Sequence, residues 1–280
     1  MSPPSAGSPP WRLALPMYNN SPALAEAARA LLRRVVQDLR DLGWTDPMSI
    51  VEPDENLVDF WASPSTLLSQ SCGYPLVTQL ADRVSVLARP QFDIEGCEDH
   101  GYCSVVVVRA EAPVASLLDL QGLRLAINSS DSHSGMNTLR HQLAPVAASR
   151  QIDGRFFSEV LLTGSHVNSL IWVQNQQADV CAVDRVTWHN VSTHRPETVR
   201  GLRVLTRTGQ APSLPWICNR HLSAAQQADL WAVVKGLPQR EPAACALLRL
   251  TGFKPATLAD YRVITAMENE AVALGYPVLR

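Results

Sequence analysis

Hydroxyl and imidazole side chains crowd into one stretch, residues 128–136, which read NSSDSHSGM. The stretch lies between a predicted strand over 123–127 and a predicted helix over 136–147. The first amides of a helix have no partner within it and lie at the positive end of its dipole. The turn is therefore suited to binding an oxyanion.

Four residues of this turn could contact the anion. Ser132 and Ser134 supply hydroxyl groups and His133 supplies a ring nitrogen. Gly135 would let a ligand approach the backbone closely. Such neutral dipoles can hold an anion without lysine or arginine. The alternative interpretation is an ordinary N-cap with additional serines.

Similar polar turns follow three other predicted strands, over 67–70, 156–162 and 178–183. The polar residues of these turns are Ser71, Tyr74, Ser165, His166 and Asp184. Ligands of open α/β sheets bind beyond the carboxyl ends of the strands. We therefore expect these residues to line one cleft together with Tyr18 and Tyr102.

Asp184 would restrict which anion binds. A carboxylate repels an anion unless the ligand carries a proton to donate, so Asp184 favours a protonated phosphate or phosphonate over sulfate. The alternative is that Asp184 only caps a helix starting at Arg185. His166 has a similar alternative, which is a hydrogen bond to nearby backbone. Cys72 could be a nucleophile if its pKa were lowered, but the role of a small neutral loop residue fits it better.

The elements that must position these side chains alternate between strands and helices. Ser21 and Pro22 mark the start of the first helix, and Gly43 marks its end. A β-branched run over 105–108 is typical of a strand that is buried on both faces. The alternation predicts an α/β fold.

Proline-containing segments divide the chain. We predict a disordered tip over 1–10, a first lobe made of 11–106 and 212–280, and a second lobe over 107–211. The last predicted helices, over 223–236, 241–250 and 258–274, carry no obvious chemical cluster. We expect them to pack on the first lobe.

Composition excludes several classes of protein. The chain has 280 residues, of which 46% are hydrophobic and 18% are charged, and its net charge is −2. This content supports a globular core, and the scattered basic residues exclude a nucleic-acid surface. No apolar run is long enough for a membrane span, so we expect no membrane insertion. No zinc-binding spacing is present, and we expect neither a metal nor a cofactor.

The cysteines and the N-terminus bear on the compartment. None of the six cysteines forms a CxxC pair, so reduced and mostly buried thiols are the default interpretation. A disulfide between Cys97 and Cys103, which are close in sequence, is the alternative. The first residues lack the features of a secretory signal. The protein is therefore either cytoplasmic or exported by a signal that this sequence does not include.

Several segments together resemble one known family. The segments are SQSCGYPL over 69–76, YCSVVVVR over 102–109, DLQGLRLAINSSDSHSGMNTLR over 119–140, GSH over 164–166 and AVD over 182–184. In this order, they resemble the phosphonate, phosphite and phosphate substrate-binding proteins of ABC transporters. The resemblance extends over residues 12–219.

The resemblance implies a type II periplasmic-binding-protein fold, with two α/β lobes joined by two crossing segments. It also implies a phosphonate, phosphite or phosphate ligand in the cleft, an ABC permease as partner, and a periplasmic location. The ligand contacts that it implies are Tyr102, Ser132, His133, Ser134, His166 and Asp184. His133 stands where the family has a hydroxyl group, and the first-lobe loop departs from the family's glycine–proline turn.

Two functions from different classes are consistent with these features. The leading hypothesis is a binding protein, not an enzyme, that closes two lobes around a small oxyanion for ABC-type transport or for sensing. The alternative is an enzyme of the same fold in cofactor-precursor biosynthesis, in which His166, His133 or Cys72 would be a general base or a nucleophile. A third hypothesis is a regulatory domain that binds a metabolite.

Overall fold

The computed structural model describes residues 10–152 and 155–280, in which strands and helices alternate. The strands are β1 (Trp11–Ala14), β2 (Met48–Ile50), β3 (Thr66–Gln70), β4 (Val84–Phe92), β5 (Gly101–Tyr102), β6 (Ser104–Arg109), β7 (Arg124–Ile127), β8 (Glu159–Leu162), β9 (Val180–Asp184), β10 (Leu202–Arg207), β11 (Ala211–Pro212), β12 (Trp216–Asn219) and β13 (Leu250–Pro255). The α-helices are α1 (Pro22–Asp41), α2 (Leu57–Ala62), α3 (Gly73–Thr78), α4 (Thr138–Ser149), α5 (His166–Gln174), α6 (Arg185–His194), α7 (Ala224–Lys235), α8 (Leu237–Arg240), α9 (Pro242–Leu247) and α10 (Arg262–Ala273). Shorter helical segments are the 3-10 turns Glu98–His100, Leu118–Leu120, Pro196–Val199 and Leu258–Tyr261, and the π-helical turn His133–Asn137.

This alternation confirms the predicted α/β class. Except for Pro10, the predicted disordered tip over 1–10 lies outside the described residues. Within the described part of the chain, no helix has the length and apolar character needed to cross a bilayer.

The chain divides into two compact units. The first contains the chain up to Asp93 together with Ser213–Asp260, and the second contains Ile94–Pro212 together with Tyr261–Arg280. These bounds differ from the expected lobes in two places. Residues 94–106 belong to the second unit, where β6 pairs with β9. The last segment also belongs there, because α10 packs on α4. Glu268 of α10 has its Oε1 atom 3.1 Å from the Arg140 Nη2 atom on α4.

The first unit is built on a six-stranded sheet in the order β13-β4-β12-β3-β1-β2. β1 is parallel to β2 and β3, whereas β12 runs antiparallel to β3 and β4. α1 buries an apolar stripe that includes Leu24, Leu31 and Val35. Ser21 caps this helix by accepting a hydrogen bond from the Leu24 amide, as the sequence predicts.

The second unit is built on a five-stranded sheet in the order β10-β6-β9-β7-β8. β7 is parallel to β8 and β9, so the carboxyl ends of these three strands meet at one edge of the sheet. β6 runs antiparallel to β9, which brings the amino end of β6 to the same edge, with Ser104 opposite Asp184. β5 and β11 form a separate two-stranded pair. One edge of the five-stranded sheet therefore carries three of the four polar turns that the sequence predicts.

The centre of the second sheet is apolar on both faces. Nearly every residue of β6 and β9 is buried, as their continuous apolar runs predict. Val105, Val107 and Val183 pack in one cluster with Leu170 and Val173 of α5. Burying each such side chain contributes about 1.5–3 kcal/mol. The sheet is therefore a rigid support for the turns at its edge.

Differences between predicted and observed elements have causes distant in sequence, as two examples show. β8 starts at Glu159 instead of residue 156, because the amides of Phe156 and Phe157 donate to the Arg280 carbonyl instead of to a neighbouring strand. The helix predicted over 241–250 is shorter in the structure, where α9 ends at Leu247. The chain then forms β13, which pairs with β4. Both differences come from contacts with segments that are distant in sequence.

Candidate functional site

Two turns and one strand end meet at the carboxyl edge of the second unit's sheet. The turn after β7 carries Ser134, the turn after β8 leads into His166, and β9 ends at Asp184. Ser134 Oγ lies 2.9 Å from His166 Nε2, and the same nitrogen lies 3.5 Å from Asp184 Oδ2. Three of the predicted site residues therefore form one contiguous cluster.

The turn after β7 is π-helical, whereas the sequence predicts the start of an ordinary helix. The Asn137 amide donates to the Ser132 carbonyl at 3.0 Å, and the Gly135 amide donates to Ser132 Oγ at 3.0 Å. α4 continues from Thr138, whose hydroxyl donates to the Ser134 carbonyl at 3.0 Å. These hydrogen bonds fix the shape of the turn. π-Helical turns are rare and frequently occur at functional sites.

The side chains of Ser132, Ser165 and Asp184 accept hydrogen bonds from helix amides, so all three are N-caps. Ser165 Oγ accepts from the Asn168 amide at 3.1 Å, and Asp184 Oδ1 accepts from the Thr187 amide at 2.8 Å. A serine that accepts a hydrogen bond still has its own proton to donate. Capping thus occupies only part of the hydrogen-bonding capacity of these groups.

Ser134, His166 and Asp184 have the residue types of a catalytic triad but not its geometry. In a triad, the serine and the carboxylate bind opposite nitrogens of the imidazole ring, which orients the ring as a base. Here both groups lie against Nε2. The arrangement is better suited to holding a ligand than to activating the serine.

Burial determines the charge of His166. Loss of solvent lowers the pKa of His166, whereas the charge of Asp184 and the nearby backbone of Ala182 act in the opposite direction. The net shift is downward, so the ring is neutral near neutral pH. His166 can therefore offer a hydrogen bond without adding a positive charge.

Gly135 is required by the protein's own side chains. A Cβ atom at this position would lie 1.8 Å from Asn128 Oδ1 and 3.1 Å from His166 Cε1. The space that we expected a ligand to use near this backbone is taken by Asn128 and His166. Gly135 therefore has a packing role in the turn.

His133 is fully buried beside Tyr102. The centroids of the two rings are 6.3 Å apart, and Tyr102 is also buried. His133 Nδ1 lies 3.1 Å from Asn137 Nδ2. Burial, with a smaller contribution from His141, lowers the pKa of His133 to about 3. The ring is therefore neutral at physiological pH.

Tyr18, Ser71 and Tyr74 lie in the first unit. Tyr18 packs edge-on against Phe92, with the ring centroids 5.7 Å apart, and Tyr74 lies in α3. Ser71 follows β3 and is fully buried, and its Oγ has no hydrogen-bond partner among the described residues. A role of these three residues in ligand binding stays a prediction.

Three residues that shape the turn were not among the predicted site residues, namely Asn128, Asn137 and Arg140. Asn137 contacts the His133 ring, and Arg140 Nη2 donates to Asn137 Oδ1 at 2.6 Å. The available signal was spacing, because His133, Asn137 and Arg140 are four and three residues apart and can share one helix face. A buried arginine on such a face needs a specific partner.

The arginines nearest in sequence to the cluster bind other groups. Arg185, which follows Asp184, donates from Nε to the Glu95 carbonyl at 2.7 Å. Arg140 donates from Nη1 to the Pro277 carbonyl at 2.8 Å. Their hydrogen bonds are made within the protein, which agrees with an anion site built from neutral dipoles.

All six cysteines are buried thiols in the structure. Burial raises the pKa of Cys97 and of Cys218 to about 12. Among the residues that the structure describes, no group of three or more side chains could hold a metal ion. The compartment inferred from the thiols stays a prediction.

Comparison with known sequences gives related proteins. A family model described as ABC transporter, phosphonate, periplasmic substrate-binding protein matches residues 25–261. The curated phosphonates-binding periplasmic protein of Escherichia coli (strain K12) is 26% identical over 157 residues. That alignment covers 55% of this chain and 46% of the relative, so the chain matches about half of the relative's length.

Two solved structures share the fold. A binding protein component of an ABC phosphonate transporter from Pseudomonas aeruginosa has a TM-score of 0.75 at 16% identity, covering 96% of this chain and 88% of that chain. PhnD1 from Prochlorococcus marinus (MIT 9301), in complex with methylphosphonate, has a TM-score of 0.74 at 16% identity, covering 93% of this chain and 97% of that chain. The likeness confirms the predicted two-lobed type II periplasmic-binding-protein fold.

Proposed function

The chain belongs to the family of periplasmic phosphonate-binding proteins of ABC transporters, and we propose that it binds a phosphonate, phosphite or phosphate ion. The observation that carries this proposal is the cluster of Ser134, His166 and Asp184 at the carboxyl edge of the second unit's sheet. The cluster combines hydroxyl, imidazole and carboxylate groups, which together can bind both ionised and protonated oxygens.

Helix dipoles support an anion at this edge. α4, α5 and α6 begin directly after or close to the ends of β7, β8 and β9. Because those strand ends share one edge, three positive helix ends are directed to the same region. The ligand contacts that we propose in this unit are Tyr102, Ser132, His133, Ser134, Ser165, His166 and Asp184.

Asp184 provides selectivity in this proposal. Its Oδ1 caps α6, which leaves Oδ2, beside His166, to accept a hydrogen bond from a protonated oxygen of the ligand. Phosphate and phosphonates carry such a proton near neutral pH, whereas sulfate does not. The site is therefore proposed to prefer phosphorus oxyanions to sulfate.

We propose that binding occurs without turnover. Ser134 and Asp184 contact the same nitrogen of His166, so the ring is not oriented as a general base for the serine. The family itself consists of substrate-binding proteins. The bound ion should be recovered chemically unchanged, which phosphorus NMR of the released ligand measures.

Family membership also supports a partner and a location. Substrate-binding proteins of this family serve ABC transporters and are periplasmic. The proposal is therefore that this chain delivers its ion to an ABC permease from the periplasm.

Thermal unfolding with methylphosphonate, phosphite, phosphate and sulfate tests the function. A ligand that binds only the folded protein stabilises it, by about 2.7 kcal/mol at 100 times its Kd. We expect a clear increase in Tm with at least one of the phosphorus anions and a smaller one with sulfate. No increase with any of the three phosphorus anions would reject the proposal.

A serine variant with a matched control links binding to the cluster. Ser134→Ala removes a hydroxyl group that we propose to bind the ion, so it should raise the Kd of the best ligand about tenfold. Ser223→Ala makes the same change in the first unit, where Ser223 caps α7 by accepting from the Gln226 amide. The control should lower stability and leave the Kd, measured by isothermal titration calorimetry, unchanged.

A further inference from the structure

The neighbours of Asn137 determine how its side chain is oriented. Its Oδ1 lies 2.6 Å from Arg140 Nη2, and a guanidinium can only donate, so this amide atom is the oxygen. The amide nitrogen then faces the Ile264 carbonyl at 3.1 Å and His133 Nδ1 at 3.1 Å. Its two protons are donated to these two acceptors. The network therefore requires an unprotonated Nδ1 on His133.

An unprotonated Nδ1 places the proton of the neutral ring on Nε2. His133 is fully buried, and its Nε2 has no hydrogen-bond partner among the described residues. Buried N–H donors in folded proteins are nearly always paired. A donor that the protein leaves unpaired in this turn therefore indicates an acceptor that is not part of the protein.

We propose that Asn137 is a positioning residue that holds His133 in its Nε2–H form, and that this N–H donates to an ionised oxygen of the bound anion. The inference rests on the proposed function and adds the chemistry of one contact. A serine or threonine hydroxyl can rotate to donate or to accept, whereas this ring nitrogen can only donate. His133 therefore favours an ionised ligand oxygen, which is a stronger acceptor than a hydroxyl oxygen.

Together, two residues of the site define one class of anion. His133 favours an ionised oxygen, which is the stronger acceptor, whereas Asp184 requires an oxygen that carries a proton. A monoprotonated phosphonate or phosphate has both kinds of oxygen. A sulfonate has only ionised oxygens at neutral pH and would leave Asp184 facing a negative charge. Among the proposed ligands, the form that satisfies both residues is therefore the monoprotonated ion.

Histidine NMR tests the inference on the intact protein. A long-range ¹H–¹⁵N correlation spectrum of ¹⁵N-histidine-labelled protein shows which nitrogen of each ring is protonated, and His133→Gln identifies the His133 signals among the 7 histidines. We expect the Nε2–H form in the ligand-free protein and a shift of that N–H signal with saturating methylphosphonate. An Nδ1–H form, or an N–H signal that stays unchanged while methylphosphonate binds, would overturn this inference and leave the proposed function standing.

A variant of Asn137 tests its positioning role. Asn137→Asp replaces a donor by an acceptor, so His133 should carry a proton on Nδ1 and the Kd of methylphosphonate should rise about tenfold. The matched control is Asn219→Asp in the first unit. The Asn219 side-chain amide also donates to two acceptors, which are the carbonyls of Pro64 and Thr66. The control should keep the wild-type Kd. Unchanged ring protonation in Asn137→Asp would refute the positioning role.

Two variants of His133 provide a test if Asn137→Asp does not fold. Glutamine can place an amide N–H near the position of Nε2, whereas leucine has no donor. His133→Leu should raise the Kd of methylphosphonate about tenfold, and His133→Gln should raise it less. Equal Kd values for both variants and the wild type would contradict the inference while leaving the proposed function intact. A wild-type protein that binds no phosphorus anion would instead reject both.

Discussion

Gly135 shows how closely the residues of the turn pack against one another. The position that a Cβ atom would occupy overlaps Asn128 Oδ1 and touches the His166 ring. His166 in turn contacts Ser134. The glycine therefore helps to place His166 beside Ser134, whichever anion binds.

Gly135→Ala should lower the free energy of unfolding by about 1–3 kcal/mol, because the added methyl group displaces neighbouring side chains. Gly209→Ala is the control, since its Cβ would meet only Met267 Cε at 3.7 Å. Urea unfolding measures both variants. Adding Asn128→Ala to Gly135→Ala should recover part of the loss, and wild-type stability of Gly135→Ala would contradict the overlap.

His133 should make stability depend on pH. Its pKa is lowered from 6.5 to about 3 by burial, so the unfolded chain binds a proton that the folded protein does not. The neutral His133 ring therefore leaves the free energy of unfolding at its full value above about pH 6.5. This free energy falls as the pH drops toward the folded pKa, by about 2 kcal/mol at pH 5. Burial also lowers the pKa of His166, which adds a loss of the same sign.

Urea unfolding at about pH 7 and about pH 5 measures this loss. The His133→Gln variant lacks the titrating ring and should lose about 2 kcal/mol less than the wild type between these two pH values. Asp179 does not account for the effect, because its pKa is lowered to about 2 and its contribution changes at lower pH. Identical pH dependence of the variant and the wild type would show that His133 titrates normally.

At the scale of the elements, Asp184 connects the start of α6 with the proposed site. Asp184→Ala removes the cap and should lower the free energy of unfolding by about 1 kcal/mol, whereas Asp184→Asn keeps a capping oxygen and should change it by a few tenths at most. Both variants lose the carboxylate and should discriminate less between phosphate and sulfate. Urea unfolding and titration calorimetry measure the two effects separately.

Equal losses of stability in the two Asp184 variants would mean that the charge, and not the cap, stabilises α6. Unchanged selectivity in both variants would mean that Asp184 only caps the helix. The two measurements therefore distinguish the alternatives that the sequence left open for this residue.

The elements that carry the site were predictable because their causes are local. Ser21 and Ser165 accept hydrogen bonds from amides three residues ahead, and the apolar run of β9 ends at Asp184. Strand and helix ends of this kind depend on neighbouring residues only. The positions of the polar turns at strand ends followed from the sequence for this reason.

The details of the turn after β7 could not be predicted, because they depend on distant residues. The contact of His166 with Ser134 joins positions 32 residues apart. The side-chain amide of Asn137 donates to the Ile264 carbonyl, which is 127 residues away. The extra residue of the π-helical turn and the packing role of Gly135 depend on contacts that a local pattern does not encode.

At the scale of the whole molecule, neither compact unit is continuous in sequence. The last helix was expected to pack on the first lobe, but α10 lies on α4. Arg140 and His141 of α4 contact Glu268 and Glu270 of α10. A boundary set by such pairs cannot be inferred from composition along the chain.

Burial of all six cysteines predicts slow reaction of the folded protein with a thiol reagent such as Ellman's reagent. The pKa of Cys97 is raised to about 12 and that of Cys245 to about 11, so very little thiolate is present near pH 8. Reaction of Cys97 and Cys245 should be roughly a thousandfold slower than that of an exposed cysteine. Absorbance of the released thiolate measures the rate, and fast reaction of several native thiols would contradict the burial.

Counting thiols after unfolding resolves the alternative for Cys97 and Cys103. The reduced form that the structure shows gives six reactive thiols in denaturant. Four would indicate that these two cysteines are joined in the isolated protein.

The hydrogen bond from Asn137 to the Ile264 carbonyl has a practical consequence for dissecting the protein. A recombinant fragment that stops at Pro212 would lack α10 and, with it, the acceptor that helps to orient Asn137. To study the second unit in isolation, a gene would have to splice the codons for Tyr261–Arg280 onto those for Ile94–Pro212 through an artificial linker.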